Sequence, residues 1–88
     1  MTDPAAEILA RADNAQRILS DPAVAEALLL LETEAIQQWV QTKATDVAGR
    51  EALWQWVRMA QRFGDIFRAA IQGGEILKES LKERDLNI

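Results

Sequence analysis

Apolar residues recur at three- and four-residue steps along most of this chain, which is the spacing of one face of an α-helix. The pattern is strongest in the stretch Glu51–Ile71, where apolar side chains fill one half of a helical wheel and polar side chains fill the other. This stretch contains two of the three tryptophans and both phenylalanines. We therefore expect it to form the centre of the packed core.

Two Asp-Pro pairs predict where helices start. They are Asp3-Pro4 and Asp21-Pro22. An aspartate side chain accepts hydrogen bonds from the free N–H groups of a first turn, and proline suits the first helical position because its missing N–H is not needed there. The pattern predicts helices over residues 4–19 and 22–43.

A short polar break, Lys43–Asp46, separates the second predicted helix from a third, which we place at 47–72. A connection this short usually joins antiparallel neighbours. Gly73-Gly74 is expected to end the third helix, because glycine readily adopts the left-handed conformation that follows many helices. The residues after it predict a short C-terminal helix over 75–85.

These elements define an all-α fold in a single domain, 1–88: an antiparallel helical hairpin with a flanking N-terminal helix and a short C-terminal helix. A chain of 88 residues has a small core and marginal stability on its own. Two helices whose apolar arcs each cover about half a circumference leave more apolar surface than one hairpin covers. We therefore expect an oligomeric helical bundle, with further copies of the chain as partners.

The composition excludes most catalytic and metal-binding chemistry. The chain has no His and no Cys, so it lacks the usual general base, the usual zinc ligands and the thiol nucleophile. Ser20 and Ser80 have no histidine to activate them. Gly73-Gly74 lacks the Lys-Ser/Thr that follows a phosphate-binding loop. We expect a protein that is not an enzyme and that holds no cofactor and no metal.

The charge and hydropathy patterns bear on the partners and the location. The net charge is −4, which gives little attraction for nucleic-acid phosphates. No apolar run reaches the roughly 18 residues that a membrane helix needs. The N-terminal sequence MTDPAAE carries acid in place of the basic start of a secretory signal. We expect a soluble intracellular protein with no membrane partner, for which nucleic acid is a disfavoured partner.

Candidate interface residues are of two kinds. Trp56, Phe63 and Phe67 belong to the predicted packed seam of the hairpin, and the others are large apolar or charged side chains such as Trp54, which a folded hairpin does not explain. Trp54 falls among polar residues, and tryptophan is enriched at interface hot spots. Glu32 projects into the apolar arc of the second helix, where a carboxylate needs a cation or a partner. It either forms a salt bridge across the hairpin, with Arg58, Arg62 or Arg68, or fixes register and subunit number in an oligomer core. The full set is Leu30, Glu32, Trp39, Trp54, Trp56, Arg58, Arg62, Phe63 and Phe67.

Several short segments between Asn14 and Ile76 together resemble a known type of protein. They are Leu19-Ser20-Asp21-Pro22, Glu26-Ala27, Ala35-Ile36, Arg50-Glu51-Ala52-Leu53 and Gly73-Gly74. With them the chain resembles small helical proteins encoded in tailed-bacteriophage and prophage gene clusters, near the packaging and head-assembly genes. The resemblance implies a non-enzymatic component of virion assembly or DNA packaging, located in the cytoplasm of a bacterial host cell or on the virion. Small terminase subunits are similar in using helical hairpins for ring assembly, but this chain lacks a clear basic helix-turn-helix ahead of the hairpin.

Three functions follow as hypotheses. The first is a self-assembling adaptor in virion assembly or DNA packaging. The second is an acidic phage inhibitor of a host protein, of the anti-CRISPR or nucleic-acid-mimic type. The third is a DNA-binding packaging subunit of the small-terminase type that uses Arg58, Arg62 and Arg68. The acids that would serve the second are Glu26, Glu32, Glu34, Glu75, Glu79, Glu83 and Asp85.

Overall fold

The computed structural model describes residues 3–86. They form three helices, α1 (Pro4–Ser20), α2 (Pro22–Gln41) and α3 (Val47–Leu86), and contain no strand. The predicted all-α class is confirmed. Within this described part of the chain, no helix is long and apolar enough to cross a membrane.

Both predicted Asp-Pro helix starts are confirmed. The backbone N–H of Ala5 donates to Asp3 Oδ1 at 3.1 Å, and that of Ala23 donates to Asp21 Oδ1 at 2.8 Å. Asp21 also ends α1, since its own N–H donates to the Ile18 carbonyl at 3.2 Å. One extended residue therefore joins α1 to α2, and it satisfies backbone groups of both helices.

The connection between α2 and α3 is a capped turn. The second helix ends at Gln41, two residues before the predicted end at Lys43, because Thr42 is extended (φ −72°, ψ 149°). Its hydroxyl donates to the Trp39 carbonyl at 2.6 Å, which satisfies one of the free acceptors of the last turn. The third helix starts at Val47 as predicted.

The predicted helix stop at Gly73-Gly74 is wrong. One helix of 40 residues runs through both glycines to Leu86, so the separate C-terminal helix at 75–85 is also wrong. Neither glycine has a positive φ. Gly74 is buried, and a Cβ placed on it would overlap the Cβ of Ala12 in α1. The low helix propensity of glycine is offset here by a close helix–helix contact that the local sequence does not reveal.

The other two helices lie along α3 in the opposite direction. The Arg50 guanidinium, in the second turn of α3, lies over the ring of Trp39 near the end of α2. Phe63 borders the same depression as Val24, near the start of α2. Ala12 of α1 faces Gly74 further along α3. The contacts thus run in reverse order along α3, and they give a rod with extents of 65 × 26 × 24 Å.

The core consists of small side chains. Among the described residues, the buried hydrophobic side chains are four alanines, Ala12, Ala15, Ala35 and Ala60. Two of these lie in α1, so the N-terminal helix that the sequence predicts as a flank is packed into the fold. Alanine and glycine let helix backbones approach closely, but each alanine buries little apolar area. The large hydrophobic side chains therefore stay at least partly exposed.

Candidate functional site

An open groove of about 660 Å³ lies between the second half of α2 and the first half of α3. Its walls are mainly apolar. Its two tryptophans, Trp39 and Trp54, were both among the predicted interface residues, and 52% of Trp54 is exposed to solvent. We call it the tryptophan groove and define it by Ala35, Ile36, Trp39, Arg50, Trp54 and Val57.

Arg50 is a groove residue that the sequence analysis missed. Its guanidinium carbon lies 3.8 Å from the centre of the Trp39 ring. A guanidinium stacked on an indole face is attracted by the negative face of the ring, by about 0.5–1 kcal/mol at exposed sites. The predicted antiparallel pairing places the start of the third helix beside the end of the second. It therefore brings Arg50 close to Trp39, so this contact could have been identified from the sequence. The stack favours this position of Trp39 in the groove wall.

A ridge of three large side chains projects from α3. Met59, Phe63 and Ile66 are exposed by 70%, 48% and 53%. Their i, i+4, i+7 spacing places them on one stripe of the helix. Phe63 also makes an edge contact with Phe67, with ring centres 5.1 Å apart and an interplanar angle of 63°. We call Met59, Phe63 and Ile66 the Met59 ridge. A shallow depression of about 320 Å³ lies beside Phe63, against the first half of α2.

The groove and the depression lie on opposite sides of the contact between α2 and α3. On α2, the fully buried Ala35 marks the direction of α3. At about 100° per residue, Ile36 lies about 100° to one side of Ala35 and Ala27 about 80° to the other. Ile36 lines the tryptophan groove and Ala27 lines the depression.

The same division holds on α3. The buried Ala60 marks the direction of α2. Trp54 lies about 120° to one side of Ala60 and Met59 about 100° to the other. Trp54 lines the groove, and Phe63, one turn after Met59, borders the depression. The molecule therefore has two distinct apolar surfaces that face away from each other, the tryptophan groove and the Met59 ridge.

Glu32 forms no salt bridge across the two helices. It is half-buried on α2, one turn before Ile36. The one ion pair within residues 3–86 joins Arg68 to Asp65 at 3.1 Å, and both side chains are exposed. The predicted salt bridge from Glu32 to Arg58, Arg62 or Arg68 is therefore wrong. Arg68 pairs within its own helix, and at about 100° per residue Arg58 and Arg62 each lie about 160° from Ala60, on the side of α3 that faces away from α2. Arg58 and Arg62 are exposed.

Some of the remaining predicted interface residues pack against the other helices, and the others are exposed. Trp56 and Phe67 are half-buried on the side of α3 that faces the other helices. Leu30 is 47% exposed and lines neither the tryptophan groove nor the depression beside Phe63. Phe63, which the pattern placed in the packed seam, is almost half exposed and belongs to the ridge. Helical spacing alone does not distinguish a residue that packs within the chain from one beside it that remains uncovered.

The described residues contain no group of three or more His, Cys, Asp or Glu side chains that could hold a metal ion. The candidate site consists of two apolar surfaces, the tryptophan groove and the Met59 ridge, with a few charged side chains at their edges. No protein family, no curated protein sequence and no solved structure matches the chain.

Proposed function

We propose that this protein is a self-assembling, non-enzymatic helical adaptor whose assembly unit is the long antiparallel hairpin. The observation that carries the proposal is the amount of surface that one copy leaves uncovered. Such surface is characteristic of a chain that completes its core with another chain.

The accessible area of the single chain is 7082 Å². A folded monomer of this mass has about 5,200 Å². The excess of about 1,900 Å² falls within the area that each chain buries in an obligate homodimer, about 1,000–2,500 Å². The radius of gyration, 18.9 Å, also exceeds the roughly 12 Å of a compact domain of this length.

The exposed surface is apolar as well as large. Thirteen large hydrophobic residues within 3–86 are exposed, and they include both walls of the tryptophan groove and the Met59 ridge. Scattered apolar residues are ordinary on monomers, but contiguous apolar surfaces mark interaction sites. At about 25 cal/mol per Å² of apolar area removed from water, covering them provides a driving force for self-association.

The resemblance to phage-encoded helical proteins supplies the biological setting of the proposal. In that setting the assembled protein serves as an adaptor in virion assembly or DNA packaging, in the bacterial cytoplasm or on the particle. Mass spectrometry of purified phage particles, both complete and partly assembled, tests the proposed role in virion assembly or DNA packaging. The protein is expected to remain with assembled or partly assembled particles, and its absence from both would contradict an assembly role.

The two alternative functions have less support in the structure. The acids of the C-terminal part of α3 alternate with Lys78, Lys82 and Arg84, which breaks up any continuous negative face. Of the three arginines proposed to contact DNA, Arg68 is paired with Asp65, and the net charge is −4. Neither the acidic inhibitor nor the DNA-binding packaging subunit explains the uncovered apolar surface.

Light scattering coupled to size-exclusion chromatography tests the proposed self-assembly. At tens of micromolar protein, we expect a mass that is a multiple of 9.8 kDa and that falls on dilution. A mass of 9.8 kDa at every concentration would overturn the proposal.

A further inference from the structure

We infer that the copies assemble head-to-tail, with the Met59 ridge of one copy seated in the tryptophan groove of the next. The inference rests on the proposed self-assembly and adds the two surfaces that meet. In such an assembly the two partners contribute different surfaces, unlike a two-fold dimer in which both contribute the same one.

The first support is the placement of the two surfaces. The tryptophan groove and the Met59 ridge lie on opposite sides of the contact between α2 and α3. One two-fold interface covers only one side of each copy, so it would leave the other apolar surface in water. Contact between ridge and groove covers both surfaces with a single kind of interface, except at the ends of an open assembly.

The second support is shape. The groove is concave and holds about 660 Å³. The ridge is convex, and its side chains follow the i, i+4, i+7 spacing with which a helix inserts anchors into an apolar groove. If the grooves of two copies faced each other, empty space would remain between them. If two ridges faced each other, the copies would make few contacts. Ridge and groove are the complementary pair on this chain.

The third support is charge. Arg62 lies on the ridge side of α3, three residues after Met59 and four before Ile66, so it neighbours both on the helix surface. Glu32 lies one turn before Ile36, beside the groove, and is half-buried with no cation within salt-bridge distance among residues 3–86. Seating the ridge in the groove brings the arginine of one copy toward the acid of the next. Glu32 then gains the partner that its own chain does not provide.

A complementation experiment tests the inference. One variant removes the ridge (Met59→Glu with Ile66→Glu), and the other removes the groove (Ile36→Glu with Trp54→Glu). All four positions are more than half exposed, so folding is expected to be retained and is checked by circular dichroism. Glutamate is used on both surfaces so that the altered surfaces do not attract each other. Ile76→Glu is the control, because Ile76 is exposed on α3 but lies outside both surfaces.

Native mass spectrometry, with one variant isotope-labelled, reads out the result. Head-to-tail assembly predicts that each variant alone is a monomer and that an equal mixture forms a one-to-one heterodimer, since one intact ridge meets one intact groove. The Ile76→Glu control is expected to assemble like the unmodified protein. If the unmodified protein assembles but the mixture gives no heterodimer, or if either folded variant still self-associates, the head-to-tail inference is overturned. If the unmodified protein is a monomer, the proposed function fails as well.

Discussion

Gly74 of α3 lies directly against Ala12 of α1, with no room for a side chain between them. Both residues are buried. Gly73, the preceding residue, has no neighbouring heavy atom within 4 Å of the position that a Cβ would occupy. Two adjacent glycines in one helix thus have opposite environments, one in a close helix contact and the other facing open space.

Gly74→Ala is expected to destabilise the protein. The added methyl group overlaps Ala12, and overpacking of this kind costs about 1–3 kcal/mol. The better helix propensity of alanine returns about 1 kcal/mol, so we expect a net loss of about 1 kcal/mol in the free energy of unfolding by urea. Adding Ala12→Gly makes room for the new methyl group, and a double-mutant cycle should show favourable coupling. Additive effects would mean that the two residues are not in contact.

Gly73→Ala is the matched control and is expected to stabilise the protein. The added methyl group meets nothing, while the helix interior gains about 0.5–1 kcal/mol because alanine loses less backbone freedom than glycine. Urea denaturation should show a higher midpoint with an unchanged slope. A destabilised Gly73→Ala variant would contradict a continuous helix through this position.

The two glycines also show how far the sequence predicts this fold. Helix starts depend on local chemistry, a carboxylate and a proline beside it, and both were predicted correctly. Whether a glycine ends a helix depends on what packs against it. Ala12, which is 62 positions away in the sequence, decides the outcome at Gly74, so no local pattern could have predicted that α3 continues.

Asp21→Ala is expected to cost about 1 kcal/mol of unfolding free energy, because the lost side chain leaves the Ala23 N–H at the start of α2 without its acceptor. Asp3→Ala removes the same kind of cap from α1. The first turn of α1 is at the end of the helix and can fray, so its loss should have a smaller effect. Equal effects of the two substitutions on the urea midpoint would show that the α1–α2 junction is not a stabilising point of the fold.

Arg50→Ala is expected to lower the free energy of unfolding by about 0.5–1 kcal/mol through loss of the stack on Trp39. Arg50→Lys should lose part of the same stabilisation, because an ammonium lacks the planar surface of a guanidinium. Thermal denaturation compares these variants with Arg68→Ala, which breaks an exposed ion pair with Asp65. A larger loss for Arg68→Ala would contradict a stabilising role for the stack.

Exchanging the charges of Glu32 and Arg62 tests the inferred contact between copies. Glu32→Arg alone and Arg62→Glu alone should each weaken self-association by about tenfold or more, since like charges then face each other. The double variant carries the pair in reverse and should recover most of the affinity in sedimentation experiments. Glu32→Arg combined with Arg58→Glu is the control and should recover none. Equal recovery in both double variants would indicate a general charge effect and not a specific pair.

The candidate surfaces were only partly predictable from the sequence. Trp54 and Trp39 were identified because large aromatic residues are enriched at interfaces. Met59 and Ile66 belong to the apolar half of the stretch Glu51–Ile71, which the pattern predicts as the centre of the packed core. An apolar arc of half a circumference is wider than one neighbouring helix can cover, and the sequence does not show which part of the arc the chain's own helices take.

The reversed order of contacts along α3 has a practical consequence. Ala12 faces Gly74, and α1 runs from there toward the middle of α3, so the first described residues lie near the last ones. The two ends of the described part of the chain, residues 3 and 86, therefore lie near the same tip of the rod. The α2–α3 turn at the opposite tip stays clear of it. A fluorescent protein or affinity tag can therefore be fused at either terminus without covering that turn.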